Sequence, residues 1–201
     1  MGSRMMHYCI TTEINKHFYQ SKEIRIHLGG LAPDLTHPIY APKALTHFVQ
    51  VSEDGRKRTD YNLFIQKYKE HFDDSFYIGY LSHLVADSLW YDMIYLKQIK
   101  CLPETEKQSA IEKGYRDFRR LNKMLLTYHP LNPIGEIHPV ENIHIEGLYT
   151  EYLPVIVKQL NDDFQVEQPT EPLEIYNLEN MLSYLRLSIS ETIKLLNPIL
   201  R

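Results

Sequence analysis

The sequence predicts an all-α fold: a single-domain helical bundle over residues 1–201, with about six helices and two long ordered loops. Three observations carry this. Apolar residues recur at three- and four-residue spacing through most of the chain, which lines one face of a helix. No stretch reads as a convincing strand. Proline and glycine interrupt the periodic runs at two places, residues 28–50 and 130–139. A chain of 201 residues with 43% hydrophobic composition can bury one substantial core without a second domain.

In chain order, His7, Ile10, Ile14 and Phe18 share the inner face of a helix over 5–18. Gly29-Gly30 and Pro33 are expected to stop any preceding helix, and His37-Pro38 and Ala41-Pro42 keep the chain irregular afterwards. Residues 28–50 thus read as a long loop, a type that tends to be functional. Asp60–His71 suits a helix, and Asp73-Asp74-Ser75 offers an N-cap for the next, from about Phe76 to Lys97. That helix is apolar on nearly every side. Glu104–Tyr128 is amphipathic, with Ile111, Tyr115, Phe118, Leu121 and Leu125 as its core stripe. After a second irregular segment, helices are expected over about Ile143–Phe164 and Leu178–Leu196, joined by a proline-bearing linker.

Composition narrows the function. Lysine and arginine number 22 against 26 acidic residues, for a net charge of -4, and the basic residues are scattered along the chain. Stable binding of duplex nucleic acid is disfavoured. A phosphate handled through metal ions stays open, because the metal supplies the positive charge. Cys9 and Cys101 are too few for a disulfide framework or a cysteine-rich zinc motif and read as buried small hydrophobes. The N-terminus lacks the basic and apolar regions of a secretory signal, so a cytoplasmic location is expected. Ser82, His83, Asp87, Ser88 and Asp92 break the most apolar stretch, and no transmembrane segment is expected.

The chemistry centres on His83 and Asp87. Four residues apart on a helix, they present an imidazole and a carboxylate to one point. An ionised aspartate in so apolar a helix needs a compensating cation. No lysine or arginine lies between Phe76 and Leu96, so that partner is either remote in sequence or a metal. Alone, the pair is better read as a hydrogen-bonded aspartate and a core histidine. Asp34 in a rigid loop and His47 in Thr46-His47-Phe48 add weight. Asp34, His47, His83 and Asp87 make a nitrogen and oxygen set that zinc accepts; inward-facing His7 could serve a second ion, with Asp87 bridging the two.

These segments, Met6-His7, Leu28-Gly-Gly-Leu-Ala-Pro-Asp34, Lys43-Ala-Leu-Thr-His47-Phe48 and Gly79-Tyr-Leu-Ser-His83-Leu-Val-Ala-Asp87, together resemble the zinc-dependent phospholipase C family, which shares its helical fold with single-strand-specific zinc nucleases. The resemblance covers roughly the first hundred residues. It implies that Asp34, His47, His83 and Asp87 hold one zinc, and that His7 and bridging Asp87 hold a neighbouring one. Two features depart from the family. Its processed N-terminus ligates zinc, whereas six residues precede His7 in this chain. Its third-site histidine after the bridging aspartate is missing from Asp87-Ser-Leu-Trp-Tyr-Asp-Met93. His138, Glu141 and His144 are the candidate replacements, and His37 lies near enough to Asp34 to assist.

The expected activity is therefore that of a metal-dependent hydrolase, with one or two divalent ions, zinc first among them, and a phosphoester or phospholipid substrate. The metal would activate water for attack on phosphorus, and Asp34 would orient that water or receive its proton. The alternative is an inactive metal-binding or regulatory module. Tyr77, Tyr80, Trp90 and Tyr91 are candidates to line a substrate cleft, and Arg116, Arg119 and Arg120 to bind its phosphate. No His-Asp dipeptide and no HExxH string occurs, which ranks other metal-hydrolase classes lower.

Overall fold

Ser3 opens the first helix by accepting a bond from the Met6 amide, and its own hydroxyl donates to Asn122 at 2.9 Å. The computed structural model describes residues 2–19, 23–35, 42–53, 55–165, 167 and 171–200. Among these residues eight α-helices follow one another: α1 (Arg4–Phe18), α2 (Ile24–Leu31), α3 (Lys43–Thr46), α4 (Tyr61–Tyr68), α5 (Ser75–Trp90), α6 (Glu104–Tyr128), α7 (Leu153–Gln165) and α8 (Leu178–Leu196). With 69% of the described residues in helix and 3% in strand, the chain belongs to the all-α class. Among the described residues no helix is long and apolar enough to cross a membrane.

α5 is the central element, buried along nearly its whole length and packed against α2, α8, α1 and α4. Asp74 caps it, accepting the Phe76 amide at 2.9 Å. The expected stop at Gly29-Gly30 does not occur, since α2 runs through both glycines. The reason lies in packing. A β-carbon on Gly29 would run into the Phe76 carbonyl, and one on Gly79 would run into the Ile26 carbonyl and lie 2.8 Å from the Gly30 amide. The glycines let α2 and α5 meet backbone to backbone, which outweighs their poor helix propensity of about 1 kcal/mol each.

Five further expectations need correction. A two-stranded antiparallel hairpin, β1 (Val49–Val51) and β2 (Lys57–Thr59), pairs in the register Val49↔Thr59 and Val51↔Lys57. Three-residue strands are too short to show an alternating pattern. The helix ending near Lys97 instead continues from Trp90 as a π-helix, Tyr91–Lys100. The helix expected from Ile143 starts only near Leu153, after a short 3-10 turn. The preceding chain is pinned in an irregular path because the hydroxyls of Tyr77 and Tyr68 accept the amides of His144 and Glu146. On α6, Tyr115 is 62% exposed rather than part of the core stripe, whereas Leu121 and Leu125 are buried as expected. Cys9 is buried but Cys101 is exposed, at the turn that follows the π-helix.

Candidate metal centre

Close approach of α2 and α5 brings the Gly30 carbonyl to 2.8 Å from His83 Nδ1. A carbonyl only accepts, so Nδ1 carries a hydrogen, and in the neutral ring Nε2 keeps its lone pair. His47 is treated the same way. It follows the single turn of α3, where the Lys43 carbonyl accepts from its Nδ1 at 3.0 Å. Thr46 ties α3 to the loop of Asp34 by donating to the Pro33 carbonyl at 2.9 Å, and Tyr80 of α5 donates to the Thr46 carbonyl at 2.6 Å. Phe48, next in the chain, takes a left-handed φ of 51°, held edge-on by the rings of Phe64, Tyr68 and Tyr80. Strain of that kind is retained where surrounding packing over-determines the backbone.

All five sequence-predicted ligands converge. His47 Nε2 lies 3.3 Å from His83 Nε2, 3.4 Å from Asp34 Oδ1 and 3.4 Å from Asp87 Oδ2. His83 Nε2 lies 3.7 Å from Asp87 Oδ2, and His7 Nε2 lies 3.6 Å from Asp87 Oδ1. The two oxygens of Asp87 therefore face different histidines. His7 stacks on His83 with ring centroids 3.8 Å apart. His7, His47, His83 and Asp87 are buried, and Asp34 is half-buried. Two overlapping donor groups result, His7–His83–Asp87 and Asp34–His47–His83, each with its ligand atoms within 4.8 Å of one another.

The electrostatics are those of a concentrated anionic pair among imidazoles. Burial raises the carboxyl of Asp87, but nearby positive charge, including His83 and His7, outweighs it and holds the group below its usual range. Burial acts likewise on Asp34 and is outweighed by His47, His83 and Lys43. Burial lowers His83, yet Asp87 and Asp34 hold it above its ordinary value. Burial, then the neighbouring His83, pushes His7 down to about 3. Both His7 nitrogens and Asp87 Oδ1 are buried without a hydrogen-bond partner. Orphaned buried polar groups cost free energy, and a divalent cation bound among these ligand atoms fits both the orphaned atoms and the mixed histidine and carboxylate set.

Other predicted residues fall elsewhere. His138, Glu141 and His144 are exposed and join neither donor group. The irregular segment that carries them is pinned over the Tyr68 and Tyr77 hydroxyls instead. His37 lies outside the described residues. Arg116 and Arg120 are engaged by Glu174 at 2.8 Å each. Tyr77 and Tyr80 belong to the core, whereas Trp90 and Tyr91 line a cleft of about 760 Å³ that reaches His47 and Asp87. A second cleft of about 620 Å³ reaches Asp34 and includes Arg119. Lys43, Trp90 and Tyr95 line both.

Three features of the site escaped the sequence. Lys43 sits four residues before His47, and its ammonium lies 2.5 Å from Asp34 Oδ1, so a remote cation does reach the site, on Asp34 rather than Asp87. Tyr184 of α8 is fully buried with its hydroxyl unpartnered. Gly2 packs against it, so that a β-carbon there would lie 3.2 Å from the Tyr184 hydroxyl and 3.6 Å from His7 Nε2. Finally, basic residues scattered in sequence meet in space, since Lys43, Arg56, Lys57, Arg58 and Lys100 all line the larger cleft. The basic run Arg56-Lys57-Arg58 was the available signal for the last of these.

No protein-family model, no curated protein and no solved structure matches the chain.

Proposed function

We propose that the chain is a metal-dependent hydrolase of phosphate esters. The observation that carries the reading is the pair of opposed imidazoles. His47 and His83 both spend Nδ1–H on backbone carbonyls and aim Nε2 at one point, flanked by Asp34 and Asp87. Two lone pairs 3.3 Å apart repel unless a cation or a proton stands between them. Backbone-fixed tautomers of this sort orient metal-ligating histidines.

Asp34, His47, His83 and Asp87 would hold one divalent cation, and His7 with the second oxygen of Asp87 would serve another. When bound, such ions lower the pKa of water and neutralise charge developing on a phosphoryl group. Asp34, half-buried beside the clefts, orients the attacking water and takes its proton. Lys43, on the wall that both clefts share, donates to a phosphoryl oxygen. The motif order resembling zinc-dependent phospholipases supports the same reading.

The test joins metal content to turnover. Purified protein is expected to retain zinc or take it up, and to cleave chromogenic phosphodiesters. Full activity in a His83→Ala, Asp87→Ala double variant would sink the proposal. A second reading, a metal-binding module without turnover, is favoured by the Lys43–Asp34 ion pair, which occupies the carboxylate assigned to proton transfer. Metal-replete protein that is inactive on phospholipid, nucleic-acid and small-ester panels would favour it.

A further inference from the structure

We propose that the substrate of this site is a small molecule carrying a second phosphate, bound by the β-hairpin beyond the ester that the metal centre would cleave. The inference rests on the phosphoester reading above. The larger cleft begins at His47 and Asp87 and is walled by Lys43, Arg56, Lys57, Arg58 and Lys100; among the described residues Asp87 is its only lining carboxylate, with Asp34 and Asp92 paired to Lys43 and Arg58. This gathering occurs in a chain whose net charge is -4. Cations crowded into one concavity repel each other, and a bound anion relieves that repulsion.

The arrangement has depth as well as charge. Arg58 is held in place, its guanidinium 5.3 Å from the centre of the Tyr91 ring and its Nη1 3.3 Å from Asp92 Oδ1. Its Nε is buried with no hydrogen-bond partner, so part of its donor fork is unspent. Planar guanidinium donors match phosphate oxygens in pairs. Lys57 lies beside Arg58 on β2, and Lys100 closes the cleft from the end of the π-helix. Lys43 stands between this basic wall and Asp34, linking the second phosphate site to the metal centre. A volume of about 760 Å³ is that of a small-molecule pocket, and its walls would repel a cationic headgroup.

The test uses zinc-loaded full chain and two non-hydrolysable probes, propane-1,3-diylbisphosphonate and propylphosphonate, in calorimetric titrations with zinc content checked afterwards. The bisphosphonate is expected to bind at least about tenfold tighter, a gain of roughly 1.4 kcal/mol. Its affinity should fall on raising salt from about 50 to 200 mM, as expected for screened ion pairing. A Lys57→Gln, Arg58→Gln double variant should lose most of that advantage while keeping wild-type zinc content and melting temperature. A single Lys100→Gln variant should lose part of it.

Equal binding of the two probes, or an advantage that survives the double variant, overturns the inference. So does tighter binding of a short oligothymidylate or of phosphatidic-acid vesicles than of the bisphosphonate, since either would assign the cleft to a strand or a membrane. Failure here is distinct from failure of the hydrolase reading. Absent zinc binding and ester cleavage overturns that reading, whereas zinc-bound, active protein without bisphosphonate preference overturns this one alone.

Discussion

His47 and His83 face each other through Nε2 atoms 3.3 Å apart, with the Nδ1–H of each committed to a backbone carbonyl from a different segment, Lys43 and Gly30. Metal-free protein must place a proton there or bear the repulsion. A cation that binds the folded chain alone stabilises it by mass action, by about 2.7 kcal/mol at a hundred times its dissociation constant. Adding zinc to chelator-treated protein should therefore raise Tm by roughly 5–10 °C for a chain of this size. Differential scanning fluorimetry checks this, and His83→Ala should abolish the shift. An unchanged Tm in wild-type protein would count against the metal centre.

Lys43 competes with any metal for Asp34, because its ammonium lies 2.5 Å from Oδ1. The lysine side chain is 37% exposed, so solvent screens the pair and its worth is about 0.2–1 kcal/mol. Lys43→Gln should thus tighten zinc binding by up to about fivefold. Hydrolysis should fall at the same time if Lys43 contacts the phosphoryl group. Competition against a zinc-responsive dye separates the two effects, and weaker zinc binding in the variant would show that Lys43 supports the site instead of opposing it.

The glycine contact between α2 and α5 underlies the geometry of both histidines. A β-carbon at Gly79 would strike the Ile26 carbonyl, and backbone cannot step aside as a side chain does. Gly79→Ala should cost at least about 3 kcal/mol, at the upper end for overpacking. Because separating the helices also pulls Gly30 from His83, zinc affinity should drop as well. Gly135→Ala is the control, since an added β-carbon there meets nothing within 4 Å. Chemical denaturation measures both, and a neutral Gly79→Ala would refute the close-packing account.

What was legible before the structure follows from the range of the interactions. The spacing of His83 and Asp87 was readable because helix geometry alone puts residues four apart on one face. Asp34 and His47 were readable as polar groups in segments too apolar to be free loops. Gly29-Gly30 misled because propensity is local, whereas the clash that requires glycine involves Phe76, far along the chain. Of the basic cleft only the run Arg56-Lys57-Arg58 was readable, since Lys43 and Lys100 join it only once α5 continues into the π-helix and the hairpin folds beside it. His138, Glu141 and His144 had suitable chemistry, but two tyrosine hydroxyls that no spacing rule reveals hold their segment elsewhere.

His27 supplies a pH test away from the candidate metal centre. Burial pushes its imidazole down to about 4 from an ordinary value of 6.5, and its Nδ1 lies 2.9 Å from the Thr11 hydroxyl, which donates to the Tyr8 carbonyl. The folded chain therefore favours neutral His27, and between these two values the unfolded chain binds the extra proton. The contribution is fully present above about pH 6.5 and is lost as pH falls toward about 4, by on the order of 2–3 kcal/mol. In chelator, unfolding free energy of the wild type should decline across that window, and His27→Gln should flatten the decline by a similar amount. Urea titrations at successive pH values measure the difference. Parallel curves for the two proteins would mean that His27 is not the group being titrated.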